Sequence, residues 1–144
     1  MKLVSACLAG IPCRYDGQSK GREDMASLVR EGIALTFCPE TLGGLKIPRV
    51  PSEIAGGDGG DVLDGKAKVM SRDGEDLTAE FIAGAEATLR LFRECGADEA
   101  LLKSKSPSCG VGRIYDGTFA GKLRSGDGVT TALLKRNNVR VVEI

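Results

Sequence analysis

Short apolar runs closed by glycine or proline alternate with stretches of helical periodicity along this chain, and that alternation leaves few folds open to it. Residues 2–8 are apolar and bounded by Gly10 and Pro12, which predicts a strand carrying Cys7 at its carboxyl end. Residues 21–31 read as a helix with Met25, Leu28 and Val29 inward and Gly32 just past its end. A second buried strand is expected over 33–38; Pro39 stops its pairing and leaves Glu40 in a loop. Residues 77–95 place Leu77, Phe81, Ala85, Leu89 and Phe92 near a 3.6-residue period, with Gly96 beyond and Cys95 packed in the last turn. Residues 99–103 form the third strand, Asp127 caps a helix running to Arg136, and 139–144 is a last buried strand.

Two regions interrupt the alternation. Between Glu40 and Gly60 glycine and proline are so dense that no regular element of any length is expected, and the specific prolines and arginine favour an ordered functional loop. Residues 61–71 read as a small hairpin turning at Asp64-Gly65, and residues 115–123 as a second one, interrupted by Asp116-Gly117, over the loop 105–112. The expectation is therefore an α/β chain, 1–144 forming one domain. A small parallel sheet is flanked by helices in a Rossmann-like arrangement, with a Gly/Pro-rich loop and a short hairpin inserted. In such sheets ligands bind beyond the carboxyl ends of the strands, where Cys7, Cys38 and the 104–109 loop all fall.

Composition narrows the chemistry. The 144 residues are 42% hydrophobic, enough for a core that needs neither disulfide nor metal to fold. Twenty basic residues balance 20 acidic ones, so no basic field for duplex nucleic acid or an anionic membrane is expected. No apolar run approaches a bilayer span and no secretory leader is evident, so a cytoplasmic location is expected. There is no histidine, which excludes Ser-His and Cys-His dyads and histidine-ligated metals. Five cysteines, an odd number, argue against a disulfide framework and for packed, metal-bound or reactive thiols.

No local pair motif joins Cys7, Cys38 and Cys109, so only the fold can gather them. Soft thiolates select zinc, copper(I) or an iron–sulfur cluster, and the missing pairs and histidines weigh against structural zinc. Buried free cysteines are otherwise ordinary small hydrophobes, the reading adopted for Cys95. Cys13 shares a loop with Cys7 and could serve as ligand, spare thiol or oxidative partner. Glu40 stands two residues from Cys38, and Ser106 and Ser108 flank Pro107 beside Cys109. A carboxylate at an open metal site can move a proton; standing alone, Glu40 would be a solvated charge and the serines turn formers. Lys103 and Lys105 flank the same loop and could draw an anion.

Ser5-Ala6-Cys7-Leu8-Ala9-Gly10, Cys13-Arg14-Tyr15-Asp16-Gly17, Cys38-Pro39-Glu40 with Gly43-Gly44-Leu45, Pro48-Arg49, and the run from Lys103 through Ser104, Ser106 and Cys109 to Gly110 together resemble the thiouracil desulfidase family. The resemblance runs from the first strand to the last. It departs from the common pattern at Ala9, where leucine is usual, and at Ser52, where alanine is usual. It implies a 4Fe-4S cluster held by Cys7, Cys38 and Cys109, with the fourth iron open to the sulfur of a thiolated base. It also implies Glu40 as acid/base and Ser106 or Ser104 as a substrate-side hydroxyl. The expected reaction is non-redox desulfuration of a small thiolated nucleobase. A metal- or sulfur-binding or sensing module using the same thiolates is the alternative, and an α/β interaction domain with incidental cysteines a third reading.

Overall fold

A computed structural model describes residues 1–17 and 21–144. Four parallel strands form its central sheet: β1 (Lys2–Ser5), β2 (Ala34–Phe37), β5 (Glu99–Leu102) and β8 (Val141–Glu143), in the order β2-β1-β5-β8. Leu3 pairs with Leu35 on one side and Ala100 on the other, and Leu101 with Val142. The chain leaves β1 for β2 on one side and returns to β5 on the other. The crevice at which strand order reverses therefore opens between the carboxyl ends of β1 and β5.

Helices cover both faces, as the alternation predicts. Met25 of α1 (Glu23–Arg30) packs with Val4, Ala34 and Leu101 on one face. On the other, Leu89 and Phe92 of α4 (Thr78–Glu94) and Leu134 of α5 (Val129–Arg136) meet Leu3, Ala100 and Leu102. A second core beside the sheet buries Ile54, Val62, Val69, Phe81 and Ile114.

Several expectations change at the element ends. β1 stops at Ser5 and the chain tightens into a 3-10 turn over Ala6–Ala9, closed by Gly10 at φ 92. That left-handed angle, which an L side chain resists, lets the Gly10 N–H reach the Ala6 and Cys7 carbonyls. Glu40 lies not in a loop but in a one-turn helix, α2 (Pro39–Leu42), because proline is pre-set for a first helical position. The 40–60 stretch also holds β3 (Ser52–Ala55) and the start of α3 (Gly59–Leu63), so its breakers bound short elements rather than forbid them.

The hairpin expected over 61–71 is absent. Asp58 caps α3 by accepting from the Asp61 N–H, and the Asp61 carboxylate accepts from the Asp58 N–H in return. Asp64-Gly65 ends that helix, and β4 (Lys68–Ser71) pairs antiparallel with β3. The second hairpin exists but is shifted outward, with β6 (Arg113–Tyr115) pairing β7 (Leu123–Ser125) and the Asp116-Gly117 step in its connecting tip. Asp127 does not cap α5; Gly128 holds that position, and the Asp127 carboxylate accepts from the Gly112 N–H and Lys135 instead. β8 is a half-exposed edge rather than a buried strand.

Candidate active site

The carboxyl ends of β1, β2 and β5 open onto one cavity of about 450 Å³, within the range of small-molecule sites. Cys7, Cys13, Cys38 and Cys109 all line it, together with Glu40, Ser104, Ser106 and Ser108. Each arrives by a different device. Cys7 rides the 3-10 turn after β1, and Cys38 is the extended residue between β2 and α2.

Cys109 is fixed by backbone bonds. The Ser106 hydroxyl accepts from the Cys109 N–H at 2.8 Å, and the Gly110 N–H donates to the Ser106 carbonyl at 2.9 Å. The first N–H groups of α5, normally without partners in the helix, then donate to this loop. Val129 donates to the Pro107 carbonyl, and Thr130 and Thr131 to that of Ser108. Contact this close requires Gly128, where a Cβ would strike the Ser108 backbone.

The thiols touch one another. Cys13 lies between Cys7 and Cys38: its hydrogen bond holds Cys7 below the ordinary thiol range, while contact with Cys13 and burial raise Cys38. Contact with Cys38 pulls Cys13 down, but the bond to Cys7 and burial prevail, pushing it up to about 11. Burial drives Cys109 up to about 12, against the hydrogen bonds of Ser5 and Ser108. All five cysteines are free thiols. Among the described residues, no three such side chains and carboxylates are gathered closely enough for a single metal ion. Cys95 stands apart, at the end of α4, with its thiol against the Phe92 carbonyl.

Glu40 is the centre of the polar network. Both Nε and Nη2 of Arg49 donate to its Oε1, at 3.2 and 3.0 Å, and the Ser108 hydroxyl donates to Oε2 at 3.0 Å. The Glu40 and Arg49 side chains are only 15% and 10% exposed, so these bonds are shielded from solvent screening. Arg49 also donates to the carbonyls of Cys13 and Lys46, tying the carboxylate to the loop that carries the thiols. α2 lies close enough to α4 to aim Glu40 because Gly43 and Gly84 face each other's helix; a Cβ on either would strike Glu80 or Pro39 backbone.

The sequence-based candidates thus converge on one cavity. Ser106 accepts from the Cys109 N–H and lies 3.3 Å from the Ser108 hydroxyl, and Ser108, which the sequence marked only as a neighbour of Cys109, is the serine that donates to Glu40. Ser104 lines the cavity, and its carbonyl accepts from Lys103 Nζ; Lys105 lines it as well. Arg49 was legible only as part of a Pro-Arg step, since nothing in one sequence pairs it with Glu40. The far wall, where Glu53, Arg72, Tyr115 and Phe119 line the cavity, carried no sequence signal beyond a turn.

The profile of the 2-thiouracil desulfurase family matches residues 3–144. The Bacillus subtilis (strain 168) protein YbbK, described as uncharacterized, is 51% identical over 142 residues, covering 99% of this chain and 94% of its own. The solved structure of TudS, described as a [4Fe-4S]-dependent thiouracil desulfidase, superposes with a TM-score of 0.86 at 49% identity, covering 98% of this chain and 88% of that one. A fold and a sequence alike over nearly the whole length place this chain in the 2-thiouracil desulfurase family.

Proposed function

We propose that this chain is a 4Fe-4S-dependent thiouracil desulfidase, residues 1–144 forming one desulfidase domain, with Cys7, Cys38 and Cys109 as the cluster ligands. One observation carries the reading: thiols from three separate strand ends share a cavity with a carboxylate fixed by two partners. The donor set fits the group. Soft sulfur ligands without histidine suit iron–sulfur chemistry. Crowded thiols with raised pKa values lose their protons to bound metal, so loading releases protons. Cys13 sits on the connecting loop, between two ligands, and is assigned no iron.

When bound, a cluster with three protein ligands supplies one open iron to hold the thiocarbonyl sulfur. The chain's own residues do the rest. Overall, water adds its oxygen to the carbon, the carbon–sulfur bond breaks, and sulfur leaves with both protons as hydrogen sulfide, with no change of oxidation state. Glu40 Oε2 takes the proton from water and returns it toward the departing sulfur, and Arg49 holds the other oxygen so that Oε2 keeps its aim. Ser108 passes or steadies that proton through its hydroxyl, with Ser106 next in the chain of hydroxyls. Ser106 and Ser104 remain the substrate-side hydroxyl candidates. The substrate is a small thiolated base, with neither duplex nucleic acid nor membrane as partner; among the described residues no helix is long and apolar enough to cross a membrane. A cytoplasmic location fits the thiol chemistry.

The test is anaerobic reconstitution with iron and sulfide followed by 2-thiouracil. Release of sulfide with stoichiometric uracil is expected. A loaded protein that binds the thiobase without turning it over would replace the enzyme by the binding or sensing module.

A further inference from the structure

The part of the cavity lining that carries Phe119 is built from the β3–β4 pair and the β6–β7 hairpin, and its most constrained point is an aromatic ring. The tip between β6 and β7 closes through the Asp116 N–H to the Lys122 carbonyl and an Asp116 turn that accepts both the N–H and the hydroxyl of Thr118. Glu53 on β3 then ties this tip down. Its Oε1 accepts the N–H groups of Gly117 at 2.9 Å and Phe119 at 3.2 Å. Gly117, at φ 93, lies so close to β3 that a Cβ would strike the Ile54 carbonyl. Phe119 is held at φ 58, a left-handed conformation that a bulky residue rarely adopts and that persists only where the surroundings impose it. The outcome of that constraint is a phenyl ring on the cavity lining, with the Arg72 guanidinium over it at 5.9 Å from the centroid.

We propose that Phe119, pinned by Glu53, is the surface on which the flat ring of the substrate stacks, and that it sets the preference of the cavity for a planar heterocycle. The proposal rests on the desulfidase reading for the identity of the ring but not for its flatness. Every nucleobase has a π-face, so an aromatic side chain recognises planarity without reading hydrogen-bond pattern. A guanidinium over the phenyl ring holds it by cation–π attraction, so the ring is preset rather than ordered at binding. Glu53 is a positioning residue, since it acts through the tip backbone.

Uracil and 5,6-dihydrouracil present the same carbonyls and N–H groups, but only uracil is flat. Equilibrium dialysis of the cluster-loaded protein should show uracil preferred by about tenfold, within the range that stacking one base contributes. Phe119→Leu, which keeps an apolar side chain, should remove that preference with iron and sulfide content unchanged. Phe119→Tyr should keep it. Glu53→Ala should weaken the preference several-fold and Glu53→Gln should restore it, because an amide oxygen still accepts both N–H groups. Equal affinity of the wild type for the two rings, no binding of either, or a Phe119→Leu protein that still discriminates overturns the proposal. Turnover of 2-thiouracil is scored on the same samples. Ring preference without turnover rejects the desulfidase reading alone, and turnover without ring preference rejects the stacking wall alone.

Discussion

The two walls of the cavity are held in opposite ways. On the thiol side, strand register, a helix terminus and an arginine fix each group redundantly: four N–H donors from residues 128–131 enter the Cys109 loop alone. On the hairpin side, among the described residues, the side-chain hydrogen bonds that join the tip to β3 come from one carboxylate, Glu53. A redundantly held wall keeps its geometry when one bond is lost, so damage there is chemical and local. A wall whose polar ties converge on one side chain changes shape when that side chain goes. The lesson is that the first wall is suited to fixed chemistry and the second to recognition.

The largest effect tests the first half of that contrast. Serine in place of Cys7, Cys38 or Cys109 should abolish cluster retention while the fold, read by circular dichroism and thermal melting, survives, since a core of this size does not depend on a metal. Cys95→Ser should retain full iron. Iron lost from Cys95→Ser but kept by Cys38→Ser would mean that the ligand set lies elsewhere.

Next in size is Glu40→Gln, which keeps shape and removes charge. It should load iron and sulfide normally and lose ~10²- to 10⁴-fold in turnover, the usual worth of a positioned acid/base. Near-normal turnover would strip Glu40 of its role, and failure to load would recast it as support for the Cys38 turn.

The smallest effect probes geometry alone. Gly84→Ala forces a methyl group into the Pro39 backbone and must push α2 away from α4. Overpacking of this kind costs about 1–3 kcal/mol, readable by urea unfolding, and turnover should fall with it because α2 carries Glu40. An alanine variant as stable and active as the wild type would show that the helix contact does not aim the carboxylate.

The same contrast marks what could be read from sequence. α4 was legible because Leu77, Phe81, Ala85, Leu89 and Phe92 write its buried face at helical spacing, and the strands before Cys7 and Cys38 because glycine or proline closes each apolar run. Local chemistry also exposed Cys7, Cys38, Cys109 and Glu40. The hairpin expected over 61–71 fails because Asp64-Gly65 is equally good chemistry for a tight turn and for the end of a helix, and only the distant pairing of Ser52 with Ser71 decides between them. Contacts such as Ser108 on Glu40 or Arg49 on Glu40 join elements that no period connects. Glu53 resembles any other strand carboxylate until the tip is laid beside it.

The strand order β2-β1-β5-β8 also governs a sequence of events in time. Cys7 and Cys38 leave the ribosome early, whereas Cys109 follows only after α4 and β5, and the donors that shape its loop belong to α5, near the chain's end. A nascent chain therefore cannot present the three thiols together. With the ligand set proposed above, iron and sulfide would meet the finished sheet, and maturation would be a hand-over to a completed receptor rather than a step of synthesis.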